Sequence, residues 1–182
     1  MEKIKKYVKT CGVLNLCIMG LTLFSSLYVF LIERSLVQRY IDTFEGTGTE
    51  QLGTGLGLAI LLVFFIIAAV IMLAFALGEL IIGLLLLTES KKDEFRRTPV
   101  RTIVPGVVMM LLSAAGFAFF CVFSFDAAGI SLISRIFYAV GLLASVGCAI
   151  ASIVIAVLVR NEEAALRDEP LRVIGNEEFF YQ

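Results

Sequence analysis

The sequence has no histidine and no tryptophan among its 182 residues. Without histidine, the chain cannot form a Ser-His catalytic pair, a His-Glu-x-x-His zinc site or a bis-histidine haem site. No lysine and no aspartate lies inside an apolar run, which excludes a Ser-Lys dyad and an aspartyl pair within a membrane. We therefore expect a protein that is not an enzyme and that carries no cofactor.

Cysteine is also scarce, with only four residues. Cys11 and Cys17 are six positions apart, and Cys121 and Cys148 lie in different apolar runs. No Cys-x-x-Cys pair is present, so the sequence predicts neither a disulfide framework nor a metal site. We interpret the cysteines as small packing residues.

Charged residues make up only 17% of the chain, whereas hydrophobic residues make up 59%. This composition is too apolar for a soluble domain and is typical of a membrane protein. Four apolar runs are each long enough to cross a hydrocarbon core of about 30 Å. They cover residues 12–32, 56–87, 102–125 and 133–159. The sequence therefore predicts an all-α integral membrane protein, a bundle of four transmembrane helices.

The basic residues are segregated along the chain. Twelve of the fifteen Lys and Arg residues precede the first run, lie between the second and third runs, or follow the fourth. The other three are Arg34, Arg39 and Arg135. By the positive-inside rule, both termini and the basic loop 88–101 are predicted to be cytoplasmic. We expect these basic residues to contact the lipid bilayer and not nucleic acid.

The N-terminal segment 1–11 has an amphipathic pattern. Ile4, Tyr7, Val8 and Cys11 share one helical face, and lysines occupy most of the other positions. The pattern predicts a short helix that lies on the inner leaflet and runs directly into span 1.

The outer loop 33–55 and the acidic cytoplasmic tail 160–182 carry weaker patterns. Residues 37–44 repeat the amphipathic pattern, and the glycine-rich stretch 46–57 is expected to be flexible. Pro170 is predicted to end the last helix.

The second span is longer than one membrane crossing requires. The 32 residues 56–87 extend about 48 Å as a helix, so this span must tilt, bend or protrude. Gly78 and Gly83 flank Glu79 and are the natural positions for a bend. Spans 3 and 4 are joined by few residues, so we expect them to be antiparallel neighbours.

Small residues form a continuous stripe along span 4. This span-4 seam consists of Gly141, Ser145, Ala149, Ser152 and Ala156, which recur at spacings of three or four residues. Such stripes let helix backbones approach closely in lipid. The seam predicts close packing against a neighbouring helix and gives no functional assignment.

Glu79 is the only charged residue between Gly53 and Leu87. Its helical spacing points it toward neighbouring helices and away from lipid. Counted from the ends of the spans, Ser113 and Ser152 lie at a similar depth, so we expect the three polar groups to meet. No lysine lies inside a span, and Arg135, the one arginine within a span, lies at the outer start of span 4 and not at the depth of Glu79. This favours a protonated Glu79 that hydrogen-bonds across helices.

Two functions fit these patterns. The scarcity of polar groups in the spans favours a non-catalytic accessory or interaction subunit of a membrane complex, in a bacterial cytoplasmic membrane. Its partners would be other membrane subunits or copies of itself. The alternative is a small proton-coupled carrier or channel subunit centred on Glu79, because such carriers use a buried acid that can release its proton.

Overall fold

A computed structural model describes residues 2–33, 35, 48–92, 99–123 and 131–177. Every regular element in these residues is a helix. The four long helices are α1 (Glu2–Tyr28), α2 (Gly48–Glu89), α3 (Pro99–Phe123) and α4 (Ser131–Glu177). A π-helical turn, Val29–Glu33, continues α1 at its C-terminal end.

Each of the four helices, with the π-helical turn counted as part of the first, contains a segment that is long and apolar enough to cross a membrane. The segments are Glu2–Leu31, Leu62–Glu89, Val100–Val122 and Ser134–Ala165. Their outward faces carry large apolar side chains, and Phe64, Ile81 and Leu143 are each more than half exposed. Contiguous apolar exposure of this kind fits a lipid environment and not water. The prediction of an all-α protein with four such helices is confirmed.

The helices pack so that α1 touches all three of the others. α3 packs closely against both α2 and α4, whereas no described Cα atom of α2 lies within 8 Å of one of α4. The ring of Phe117 lies over Gly141, and Met110, nearer to the start of α3, packs beside Ala149, nearer to the end of α4. α3 and α4 are therefore antiparallel neighbours, as the short connection between them predicts.

α1 and α2 cross at two glycines. A Cβ atom on Gly12 would lie 3.1 Å from the carbonyl oxygen of Gly83, and a Cβ on Gly83 would lie 3.2 Å from the carbonyl oxygen of Gly12. A Cβ on Gly78 would collide with the Met109 side chain. α2 runs through both of its glycines as an uninterrupted helix. Gly78 and Gly83 thus admit neighbouring helices, and the bend expected at these glycines stays a prediction.

The N-terminal segment also differs from its prediction. Residues 2–28 form one helix, so the expected continuation into span 1 is confirmed. The apolar face, however, does not lie on a leaflet. Ile4, Val8 and Cys11 are buried against α2, α3 and α4. The sequence pattern shows which face is apolar but does not distinguish a lipid surface from the ends of neighbouring helices.

Two helix ends lie beyond the bounds that the sequence predicts. α2 begins at Gly48, so Gly53, Gly55 and Gly57 are helical and not part of a flexible loop. α4 continues past Pro170 to Glu177. A glycine costs about 1 kcal/mol and a proline about 3 kcal/mol within a helix, and a long helix can tolerate either cost. The amphipathic pattern over 37–44 lies outside the described residues.

Three apolar layers fill the interior. The N-terminal layer contains Ile4, Val8, Cys11, Leu86, Ile103 and Val159. The middle layer contains Ile18, Met110 and Ala149. The aromatic layer, at the far end, contains Val29, Phe65, Ala69, Met72, Phe117, Phe120 and Tyr138. In that layer Phe120 stacks on Tyr138 and Phe65, with ring centroids 5.2 and 5.9 Å apart.

The glycine crossing generates a stability prediction with an internal control. Gly12→Leu should lower the free energy of unfolding by about 1–3 kcal/mol, because the added side chain overpacks the contact between α1 and α2. Gly20→Leu, in the same helix, should change it by less than about 0.5 kcal/mol, since nothing lies within 4 Å of a Cβ at Gly20. Thermal unfolding in detergent measures both variants, and equal losses would contradict the assigned crossing.

Candidate functional site

Glu79 lies at a point where three helices meet. The hydroxyl of Ser113, on α3, donates a hydrogen bond of 2.8 Å to Glu79 Oε1. The hydroxyl of Thr22, on α1, donates one of 3.2 Å to Glu79 Oε2. The Glu79 side chain is 0% exposed. We call these three residues the Glu79 node.

The local sequence explains why Glu79 points inward. Met72, Ala76, Glu79 and Gly83 recur at spacings of three or four, and all four are buried. The face is made of small or flexible side chains around one acid, so neighbouring helices approach closely enough for short hydrogen bonds. Along α3, Ser113 falls between the middle layer and the aromatic layer, and the node therefore forms a polar level between two apolar ones.

Thr22 is a member of the node that sequence reasoning missed. Its hydroxyl also lies 2.8 Å from the backbone carbonyl of Ile18, so one hydroxyl hydrogen serves two acceptors. The sequence of span 1 does contain a pattern that could identify Thr22 as an interior residue. Asn15, Thr22 and Ser26 recur at spacings of seven and four along α1, and all three are buried. Such a polar stripe indicates the face that meets other helices.

Ser152 does not join Glu79, which corrects the predicted grouping. Its hydroxyl lies 3.8 Å from the sulfur of Met110 and is hydrogen-bonded to the Cys11 thiol. Ser152 belongs to α4, whose described backbone does not come within 8 Å of that of α2, measured between Cα atoms. Depth along a helix axis can be counted from sequence, but depth does not determine which two helices are neighbours.

The span-4 seam faces the interior of the bundle. Gly141, Ser145, Ala149 and Ser152 are buried, and Ala156 is half-buried. The seam receives side chains from α3 and α1, including the ring of Phe117 over Gly141 and the middle-layer contacts of Ala149. These small residues therefore let α4 pack closely against its neighbours.

Three buried polar atoms lack a hydrogen-bond partner among the described residues. They are Asn15 Oδ1, Ser25 Oγ and Ser145 Oγ, on side chains that are at most 1% exposed. The amide nitrogen of Asn15 does donate, to the carbonyl of Cys11 at 3.0 Å. An unpaired buried polar atom costs about 1–3 kcal/mol, and proteins commonly satisfy such atoms with internal water.

The described residues contain no group of three or more His, Cys, Asp or Glu side chains that could hold a metal ion. The four cysteines are free thiols. The chemistry available at the node is therefore hydrogen bonding and the gain or loss of one proton at Glu79.

Comparisons with known proteins add no functional assignment. No protein-family model, curated protein or solved structure matches this chain. Function is therefore inferred from the node, the other buried polar groups and the outer surfaces.

The node predicts that two buried serines differ in their contribution to stability. Ser113→Ala removes a hydrogen bond between helices and should lower the free energy of unfolding by about 0.6–1.7 kcal/mol. Ser152→Ala removes only hydrogen bonds to sulfur, which are weak, and should cost less than about 0.5 kcal/mol. Chemical unfolding in detergent compares them, and a loss at Ser152 as large as that at Ser113 would show that the node adds nothing beyond ordinary packing.

Proposed function

We propose that this protein is a non-catalytic interaction subunit of a membrane complex. The observation that carries this proposal is the state of Glu79, whose two carboxyl oxygens both accept hydrogen bonds from neighbouring helices at 0% exposure. A carboxyl group that is held in this way stabilises the bundle. It offers no free face to a solute, and the activity is then expected on the outer surfaces of the bundle.

The proposal includes an orientation in a bacterial cytoplasmic membrane. Both termini and the basic loop 88–101 lie on the cytoplasmic side, because twelve of the fifteen Lys and Arg residues lie in these segments. The acidic tail 160–182 then also lies in the cytoplasm, and its last five residues, 178–182, fall outside the described residues.

The outer surface offers one recess suited to a partner helix. It lies between α2 and α3, has a volume of about 340 Å³ and is lined almost entirely by apolar side chains. Phe64, Phe75 and Phe119 line the recess together with the small residues Ala115 and Gly116. Small residues between bulky ones let a further transmembrane helix approach closely. We infer that an apolar helix of a partner subunit occupies this α2–α3 groove.

Photo-crosslinking in the native membrane tests the partner directly. A benzophenone amino acid at Leu112, in the groove, should give a discrete protein adduct, whereas the same group at Ile150, on α4, should not. Both side chains are exposed, by 41% and 57%, so the two positions are matched in access. Adducts with lipid alone at both positions, or the same protein adduct at both, would contradict an interaction through the groove.

A proton-coupled carrier or channel subunit is the second candidate, and one observation favours it. Asn15 Oδ1, Ser25 Oγ and Ser145 Oγ are buried and unpaired in the same interior as Glu79. Unpaired polar atoms inside a transmembrane bundle can bind water, and bound water next to an acid can conduct protons. In this case Glu79 would gain and lose a proton as the protein transports its solute or conducts protons.

Substitutions at Glu79 separate the two candidates. In an interaction subunit, Glu79→Gln should change stability by less than about 1 kcal/mol, because the amide both donates and accepts hydrogen bonds as a protonated acid does. Vesicles containing either form should then show no proton flux under an imposed pH gradient. In a carrier, the wild type should conduct protons and Glu79→Gln should abolish the flux.

Glu79→Leu provides the stability control for this test. It leaves the Ser113 hydroxyl without an acceptor and should cost about 1–3 kcal/mol. Thr22 keeps its bond to the Ile18 carbonyl and should contribute little to that loss. Proton flux that is present in the wild type and lost in a normally folded Glu79→Gln protein would overturn the interaction-subunit proposal.

A further inference from the structure

A basic recess lies at the N-terminal end of the bundle, between the first turns of α1 and the last turn of α2. Its volume is about 420 Å³, which is within the range of small-molecule sites. The lining consists of Glu2, Lys3, Lys5, Lys6, Lys9 and Ser90. Four ammonium groups thus face one carboxylate, and the recess carries an excess of positive charge that suits an anion.

The lining of the recess holds one acid, Glu2, and the two lysines at its outer edge, Lys6 and Lys9, carry the excess charge. Lys3 pairs with Glu162 at 3.4 Å, but the Lys3 side chain is 74% exposed. Ion pairs at the surface contribute little to stability, so this pair is easily exchanged for another. Among the described residues, Lys6 and Lys9 form no ion pair. Both side chains are exposed, so they can turn toward an incoming anion.

The surface next to the recess is apolar, and this points to a lipid as the source of the anion. Lys6, Lys9, Val13, Cys17 and Phe24 recur along one face of α1, and all five are exposed. Successive turns of a helix rise 5.4 Å, so this face leads from the ammonium groups directly into the apolar part of the span. A free anion has no apolar part that could contact this face, whereas the acyl chains of a phospholipid could lie along it.

The recess is held open by packing on the opposite face of α1. Ile4, Val8 and Cys11 are each at most 2% exposed in the N-terminal layer, where they contact Leu86. Ser90 lies one turn beyond Leu86 on α2. The lysines on the outer face of α1 are therefore kept at a fixed distance from the end of α2, unlike lysines in a disordered basic tail.

We propose that this recess binds the phosphate of an anionic phospholipid whose acyl chains lie along the exposed face of α1. Lys6 and Lys9 contribute most to phosphate binding, and the site selects anionic over zwitterionic headgroups by charge. The same chemistry would also attract free phosphate, so the experiment includes that anion as a separate arm.

Native mass spectrometry of the whole chain in detergent measures the binding. The protein is titrated with phosphatidylglycerol, with phosphatidylcholine and with inorganic phosphate. We expect the one-to-one complex with phosphatidylglycerol to be the tightest of the three. In K6Q/K9Q its dissociation constant should rise about fivefold for each ammonium group removed, while binding of phosphatidylcholine should not change.

The matched control is K91Q/K92Q, which removes the same charge from two lysines that do not line the recess. It should leave the affinity for phosphatidylglycerol within about twofold of the wild type, because neither lysine lines the recess and Lys92 is already paired with Glu89 at 2.8 Å. All the substituted lysines are exposed, so we expect both variants to unfold at the wild-type temperature.

Three results would overturn the proposal. Equal affinity for the two phospholipids would remove the selection by charge. An equal loss in K6Q/K9Q and K91Q/K92Q would show only a general attraction of basic residues. Phosphate that binds as tightly as phosphatidylglycerol would identify the recess as a site for a soluble anion.

Discussion

The hydrogen bonds of Glu79 to Thr22 and Ser113 connect three of the four helices at one level, and the rest of the bundle depends on this constraint. In lipid, apolar burial alone does not bring helices together, because the surrounding chains are as apolar as the helix surfaces. The preference of the helices for each other over lipid must therefore come from close backbone approach and polar contacts. The glycine crossing of α1 and α2 at Gly12 and Gly83 places the two helices close enough for Thr22 to reach the acid.

Polar side chains are buried on all four helices of the bundle. Several of them bond within their own helix, as Thr22 does to Ile18 and Asn15 to Cys11. These bonds can persist when a helix stands alone in lipid, so they add little to the association of helices. The bonds that join different helices, such as that of Ser26 to the carbonyl of Ala69, are the ones that specify the arrangement.

The sequence predicts the four helices and the inward direction of Glu79, because both follow from apolar length and a period of 3.6 residues. It also places Ser113 near Glu79, by depth alone. The same reasoning groups Ser152 with Glu79, and there it fails, since Ser152 lies on α4, whose described backbone does not approach that of α2 closely. Neighbour relations between helices depend on packing over the whole bundle, which periodicity does not encode. Thr22 was missed because its span contains no charge to draw attention to it.

The same packing fixes the position of the basic first turns of α1 relative to α2. Gly12 lies one turn after Lys9, and Gly83 and Leu86 lie two turns and one turn before Ser90, respectively. Since the contact at Gly12 fixes the distance between α1 and α2, it also fixes the width of the recess between Lys9 and Ser90. A side chain at Gly12 would separate the two helices and widen the recess as well as weaken the bundle. The close crossing therefore links the stability of the interior to the shape of the basic recess.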